Sequence, residues 1–411
     1  MLLHQVKLPH FKHSAESETV KLPMPDKVVI SMAQHLGAPC TPTVKVGDKV
    51  KIGDVIGSSE AAMYAPVHSS ISGTVTAITD VLHISGRNMQ SVVIENDGLE
   101  QISDSVCPPT VENREQFLQA VRNSGSIGLG GAGFPTSLKL GFDPKEKQPD
   151  FLIINGAECE PYITSDYRCF MEEGEDVLEG VLLMLKYLGI PKCVIGIEKN
   201  KPKAIEKMTR LCEKHDNITV KPLKSSYPQG AEKTLIFSTT GRVVKEGTLP
   251  LASGCIVINS STAAFIAQYI RTGMPLVKRR ITVDGNIVKK PSNFIVPVGM
   301  SIGEIVYYAE LSDKPDRIIL GGPMMGACAF DPDYPLSKTN NAVLMFADSP
   351  VYEPSDCIRC GKCVKACSMN LLPTELEHAF DMRDARQLEK LKVNLCVNCG
   401  ACSFVLSLIH I

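Results

Sequence analysis

The sequence predicts a multidomain chain mixing α/β and α+β architecture: an all-β piece, a parallel α/β piece, a small α+β piece and a helical, cysteine-rich end. Three observations predict it. Residues 31–98 are short β-rich runs broken by Gly-Asp turns. From about residue 150, buried strands alternate with amphipathic helices, the pattern of a parallel sheet. Seven of the fifteen cysteines fall between residues 357 and 402, in two tight groups. The 411 residues are enough for several cores. A hydrophobic share of 44% with 21% charged is that of an ordinary globular protein, which sets disorder aside. A formal net charge of −2 argues against nucleic acid as a partner. The best candidate for a spanning run, around residues 181–188, is short and carries Lys186, so no spanning helix is expected. The start, MLLHQVKLPHFKH, lacks the features of a signal peptide.

In chain order, residues 1–30 are polar and rich in His, Pro and Lys, and read as an extended arm. Residues 31–98 follow as VKVGDKVKIGDVIG, MYAPVHSSISGTVTAI and QSVVIEND, with alternating apolar residues around the turns. This pattern resembles the barrel-sandwich domain of lipoyl and biotinyl carriers. Their acceptor lysine is missing, because the tip reads Ser58-Ser59-Glu60-Ala61-Ala62, so a structural or docking role is expected. A linker with Pro108-Pro109 leads to an α/β domain expected over residues 111–249. It opens with a helix carrying Phe117, Ala120 and Val121 on one face. The strand DFLIING, a helix ended by Gly189, the strand KCVIGIE, the helix PKAIEKMTRLCEKH, the strand ITVKPLK and a short helix complete it. Residues 250–330 are expected to form a separate α+β domain with a hairpin turning at Asp284-Gly285. Residues 331–355 read as linker, and residues 345–405 as a helical cysteine domain with one helix between the two groups.

The cysteines carry the strongest chemical signal. Cys357, Cys360, Cys363 and Cys367 stand in CIRCGKCVKAC, and Cys396, Cys399 and Cys402 in CVNCGAC. The spacing C-x2-C-x2-C-x3-C is that of ferredoxin-type clusters, in which the fourth cysteine ligates the other cluster. Cys367 therefore completes the group at 396–402. The group at 357–363 needs a partner at position 406, which is Leu406. Zinc is disfavoured, since its four-cysteine sites separate two C-x2-C knuckles by a dozen or more residues. Two [4Fe–4S] clusters are expected, one lacking its fourth cysteine. Such thiols fit a reducing cytoplasm better than disulfides do.

Three loops suit a phosphate or ring. SIGLGGAGFPTSLKL spans residues 126–140 and places Gly128, Gly130, Gly131 and Gly133 before Phe134 and a proline-started helix. Glycines let backbone N–H groups face an anion, and Lys139 lies one helical turn on. A glycine turn needed only for packing is the alternative. IINGAECEPYITSDYR leaves a strand at the sheet's carboxyl edge, with Asn155, Glu158 and Glu160 as candidate donors and acceptors. SYPQGAEK places Gly230 and Glu232 at another helix start.

The combination GLGGAGFPTSLKL, NGAECEPYITSD and YPQGAEK closely resembles the C subunit of the Rnf electron-transport complex. More distantly it is similar to the flavin- and NADH-binding subunit of respiratory complex I. The resemblance covers residues 30–405. It implies a Rossmann-like flavin domain binding FMN and NAD(H), a β-grasp domain of the soluble-ligand-binding type and a ferredoxin-like two-cluster tail. The implied contacts are the loop residues given above and, more weakly, Asn259 in VINSSTAA, where the family usually has Val-Gly and this chain has Ser260-Ser261. It also implies a peripheral protein on the cytoplasmic face of the bacterial cell membrane. Its partners would be integral-membrane and peripheral subunits of an Rnf-type complex, reached indirectly by ferredoxin. The alternatives are a soluble or microcompartment cobalamin reductase and a non-enzymatic electron-wire and docking module without bound NAD. After Val405 the family implies Cys-Pro, whereas the chain reads LSLIHI. Residues 406–411 are therefore expected to be non-native, because LSLIHI is what translation of a transposase-adapter repeat gives; a natural apolar tail, or a cluster with a non-cysteine fourth ligand, is the alternative.

Overall fold

A computed structural model of the protein describes residues 4–348 and 356–406. The expectation for the tail concerns residues 407–411 for the most part, which lie outside the described residues, as does the linker stretch 349–355.

Near the N-terminus, two small sheets face each other. One runs Lys27–Ser31, Asn88–Asn96, Gly73–Leu82, Lys49–Val50, and the other Thr41–Pro42, Val55–Ser58, Val67–His68. Their β-branched residues alternate inward, so Val28, Ile30, Ile56, Val67, Val92 and Ile94 are fully buried together. The arm is less separate than its polarity suggests. Lys27–Ser31 is already a strand of this piece, and Val20–Lys21 joins a different sheet.

The parallel sheet has the strand order Ile218–Leu223, Lys192–Glu198, Phe151–Gly156, Cys255–Asn259. Lys192–Glu198, Phe151–Gly156 and Cys255–Asn259 are nearly continuous apolar runs, as burial on both faces requires, while the edge strand Ile218–Leu223 is partly exposed. The helices Ser165–Leu188 and Ser260–Thr272 pack against one another so closely that a Cβ on Gly180 would lie 1.9 Å from the Ala263 carbonyl. Here the expected boundary at residue 249 is corrected. Cys255–Asn259 pairs in parallel with Phe151–Gly156, so this strand and the helix after it belong to the α/β domain. The unalternating run CIVIN is the physical reason, since a strand covered on both faces has no polar side.

The third sheet is mixed and six-stranded: Val20–Lys21, Ser292–Pro297, Lys278–Asp284, Ala342–Phe346, Arg317–Leu320, Ala327–Cys328. The linker reading of residues 331–348 is therefore corrected. Ala342–Phe346 is an inner strand, and Ala342, Val343 and Leu344 are fully buried. The hairpin forms, but Lys278–Asp284 pairs with Ser292–Pro297 across residues 285–291, not through a two-residue turn at Asp284-Gly285. In the cysteine domain the single expected helix is two, Pro373–Asp381 and Ala385–Lys390. Arg383 takes a left-handed φ of +52° between them, and the Asp384 side chain caps the second.

Candidate functional site

The strand order reverses between the parallel strands Phe151–Gly156 and Cys255–Asn259, and ligands of parallel sheets bind at the carboxyl ends beside such a point. Asn155 and Asn259 are direct neighbours in the ladder there. The Asn155 amide donates to the Gly230 carbonyl at 3.0 Å, and the Gly230 N–H donates to Cys159 Sγ at 3.4 Å. The second and third loops are thus one hydrogen-bonded unit.

Over the opposite side lies the glycine loop. Gly128 N–H to Phe134 O, 2.9 Å, closes its neck, and Leu129 N–H reaches Thr262 Oγ1 at 3.1 Å. Gly130 lies directly over Asn259, where a Cβ would meet Asn259 Nδ2 at 2.4 Å. Gly133 has φ +71°, which a side chain would strain. Gly131 has none of the described residues within 4 Å of a Cβ built there. The loop tip is therefore held at its base and free at its crest.

Asn259 has a second task. Its side chain accepts from Ser261 N (2.9 Å) and Thr262 N (3.3 Å), capping the helix Ser260–Thr272. Its Nδ2 donates to Asp166 Oδ2 at 2.7 Å, and Ser261 Oγ donates to Asp166 Oδ1 at 2.8 Å. Lys139 is paired with Glu232 at 2.7 Å, which ties the glycine motif to the third loop.

The two glutamates do not face solvent as free acceptors. Glu158, at φ +41°, turns its carboxylate onto the N–H groups of Asp166 (2.6 Å) and Tyr167 (3.3 Å), at the start of Ser165–Leu188. Burial pushes its pKa up, against the opposing charges of Lys12 and Lys201. Glu160 Oε2 accepts from Met324 N–H at 3.0 Å, while Oε1 is buried with no partner among the described residues. Burial raises Glu160 to about 7, opposed by the N–H groups of Met324 and Met325. An acceptor left without a donor inside the protein is costly.

Two lysines missed by sequence reasoning hold this loop. Lys12 Nζ donates to the carbonyls of Glu158 (3.0 Å), Glu160 (2.8 Å) and Ile163. Lys201 Nζ donates to Ala157 O (3.0 Å) and Glu198 Oε2 (3.2 Å). Nothing local announces Lys12, which reaches the site from the arm. Asp166, by contrast, sits inside the string ITSDYR and is legible as the acid in the first turn of its helix.

The cysteine domain repeats one backbone pattern. Arg359 and Gly361 have φ +55° and +71°, and Asn398 and Gly400 have φ +51° and +71°. Each loop then opens a short helix, Lys362–Ala366 or Ala401–Val405. Cys357, Cys360, Cys363 and Leu406 line one cavity of about 500 Å³. Cys367 lies toward the other group: burial first, and also the neighbouring thiols of Cys399 and Cys367, push the Cys402 thiol up. Among the described residues no three side chains converge closely enough to hold a single metal ion. Soft thiol donors around a cavity of this size fit a polynuclear cluster better than a lone tetrahedral ion.

Comparison with known proteins gives two family matches. Residues 3–99 match the RnfC barrel sandwich hybrid domain, and residues 121–268 match the Nuo51 FMN-binding domain. Among curated proteins, the chain is 41% identical over 358 residues to the C subunit of the Na(+)-translocating ferredoxin:NAD(+) oxidoreductase complex of Acetobacterium woodii, covering 86% of this chain and 81% of that one. It is 39% identical over 392 residues to the C subunit of the proton-translocating ferredoxin:NAD(+) oxidoreductase complex of Clostridium ljungdahlii, covering 93% and 85%. With the C subunit of the ion-translocating oxidoreductase complex of Rhodobacter capsulatus it shares 34% over 397 residues, covering 94% and 76%. Among solved structures, the NAD+-reducing [NiFe]-hydrogenase in the air-oxidized state aligns with TM-score 0.53 at 19% identity, over 71% of this chain and 60% of that chain. That last likeness concerns the fold.

Proposed function

The chain belongs to the C-subunit family of ion-translocating ferredoxin:NAD(+) oxidoreductase complexes, and we propose that it is the peripheral flavin and iron–sulfur subunit of such a complex. It is an oxidoreductase subunit whose α/β domain takes FMN with NAD(H) over it. The observation that carries this reading is the meeting of three sequence-distant loops at one sheet reversal, with Asn155, Gly230 and Cys159 linked and Gly130 laid over Asn259. Bound FMN supplies two-electron exchange with NAD(H) and one-electron exchange with clusters.

The residues bind and orient. The open crest at Gly131 leaves backbone N–H groups for a phosphate. Asp166 fixes Asn259 and Ser261 beneath it. Glu160 Oε1 is left to receive a hydroxyl or ring N–H. No acid–base residue is assigned, because hydride transfer needs positioning above all. Cys396, Cys399 and Cys402 with Cys367 would hold one [4Fe–4S] cluster, and Cys357, Cys360 and Cys363 would supply three of the four thiolates that a second one requires. The six-stranded domain is read as β-grasp of the soluble-ligand-binding type.

No helix of the described residues is long and apolar enough to cross a membrane. In this reading the subunit sits peripherally, on the cytoplasmic face, against integral-membrane partner subunits that connect it to ferredoxin. The cobalamin-reductase reading is disfavoured by the N-terminal sandwich match at residues 3–99. Anaerobic purification tests the proposal. Flavin should be released on denaturation and NADH should bleach it before denaturation. A colourless chain that NADH leaves unchanged would sink it.

A further inference from the structure

Tyr227 takes no part in binding the flavin in this scheme, yet it touches both the flavin site and the cysteine domain. It lies before the helix Glu232–Thr240 and is 1% exposed. Its backbone N–H and C=O both pair with Val6 of the arm at 2.8 Å. Its ring packs with Leu8, Ala366 and Ala401, and Cys159, Met324 and Cys399 border the same apolar cluster. Its hydroxyl donates to the Cys399 carbonyl at 2.6 Å, beside the Glu160 carboxylate. A second support runs alongside. Met324 N–H is held by Glu160 Oε2 at 3.0 Å, and the Met324 carbonyl abuts Gly400, where a Cβ would lie only 2.8 Å from it. The Cys399-Gly400 turn therefore rests on two posts, Met324 held by Glu160 of the acidic loop and Tyr227 held by Val6 of the arm with its hydroxyl beside Glu160. The other cysteine loop has no such seat among the described residues. Cys357 and Cys360 are exposed, and none of the described residues lies within 4 Å of a Cβ on Gly361.

We propose that Tyr227 is a positioning residue that seats the Cys399 turn against the acidic loop, making the Cys396, Cys399, Cys402 and Cys367 group the flavin-side centre and the Cys357, Cys360 and Cys363 group the outward one. The inference rests on the proposed cofactors. Transfer across the seat is of single electrons: what the flavin loses the first cluster gains and then yields to the second, with no bond made or broken. The hydroxyl dipole points its positive end at the Cys399 peptide, which favours the reduced, more negative cluster.

The test is Tyr227→Phe in the whole, anaerobically purified chain, which keeps the ring and removes only the hydroxyl. A three-cysteine cluster on the other group would give its EPR signal on oxidation, whereas the chain as it stands has four cysteines only for the Cys396, Cys399, Cys402 and Cys367 cluster, whose signal appears on reduction. Flavin and iron per chain should be unchanged. The midpoint potential of that signal should fall, and its reduction after mixing with NADH should slow several-fold. In a Leu406→Cys background the additional signal should keep its potential. An unmoved first signal, or a shift confined to the additional one, overturns the proposal while leaving the cofactor assignment intact. A chain without iron overturns both.

Discussion

The two cysteine loops have the same backbone and opposite surroundings. Left-handed residues stand at equivalent places, Arg359 and Gly361 in one and Asn398 and Gly400 in the other. Yet Cys399 and Gly400 press on Tyr227 and Met324, while Cys357 and Cys360 look outward over a cavity that ends at Leu406. Equal loops with unequal neighbours imply unequal roles, because a cluster's potential and reach are set by hydrogen bonds and exposure around the same thiolates. One loop is built to receive electrons from within the protein and the other to meet something outside it.

The largest expected effect removes part of that asymmetry. Leu406→Cys supplies the fourth thiolate to the outward loop, and iron should rise from about four to about eight atoms per chain, as two [4Fe–4S] clusters require. Unchanged iron would remove the assignment of position 406. The next effect sharpens the difference between the two glycines. An alanine at either Gly361 or Gly400 meets the left-handed backbone, at about 1–2 kcal/mol each. At Gly400 the methyl also strikes the Met324 carbonyl at 2.8 Å, whereas at Gly361 it meets none of the described residues within 4 Å. Gly400→Ala should therefore lower the denaturation midpoint clearly more than Gly361→Ala. Equal losses would mean the seat is not a tight contact.

What was legible in the sequence follows from the range of the forces involved. The helix Arg114–Asn123 buries Phe117, Ala120 and Val121, since periodicity is a local property. The sheet's carboxyl edge was legible from a buried strand running into NGAE, and its reversal brings Asn155 beside Asn259. Domain limits were not legible. Val20–Lys21 and Ala342–Phe346 enter one sheet from opposite ends of the chain, and no local pattern marks a partner that distant. The linker-like composition of residues 331–341 concealed the strand that follows. Lys12 and Tyr227 were missed for the same reason: a lysine in a polar arm and a tyrosine before a proline carry no signal until the fold brings them to the acidic loop. The glutamates were found, but their inward-turned carboxylates depend on those unseen neighbours.

Lys12 offers a middling effect on the docked side alone. Lys12→Met leaves the Glu158, Glu160 and Ile163 carbonyls without their shared donor. Losing hydrogen bonds to a charged group costs about 1–3 kcal/mol, and relief of the ammonium's desolvation offsets some of it. Burial already depresses Lys12 to about 8. The variant should unfold at lower urea and hold flavin more weakly, while iron in the Leu406→Cys background stays near its full value. Flavin affinity equal to that of the parent chain would show that the arm does not shape the site.

The smallest effect is a pH dependence confined to the docked side. Glu160 titrates at about 7 in the folded chain, up from an ordinary value of 4.5, because burial favours its neutral form. The folded state therefore binds more protons than the unfolded state between those values. The stabilisation from this group is complete below pH 4.5 and drains away as pH rises toward 7. Glu160→Gln keeps the size and cannot ionise, so it should remove that slope. Thermal midpoints of the flavin-free chain at pH 5.5 and 7.5 should differ less in the variant than in the parent. Because Met324 N–H leans on the same carboxylate, ionisation should also be felt at the Gly400 seat. The parent's Cys402 should then react with a thiol reagent at a rate whose pH profile changes in Glu160→Gln, whereas Cys357 should show one profile in both. Identical profiles for Cys402 would confine Glu160 to the flavin site and leave the seat mechanically independent of it.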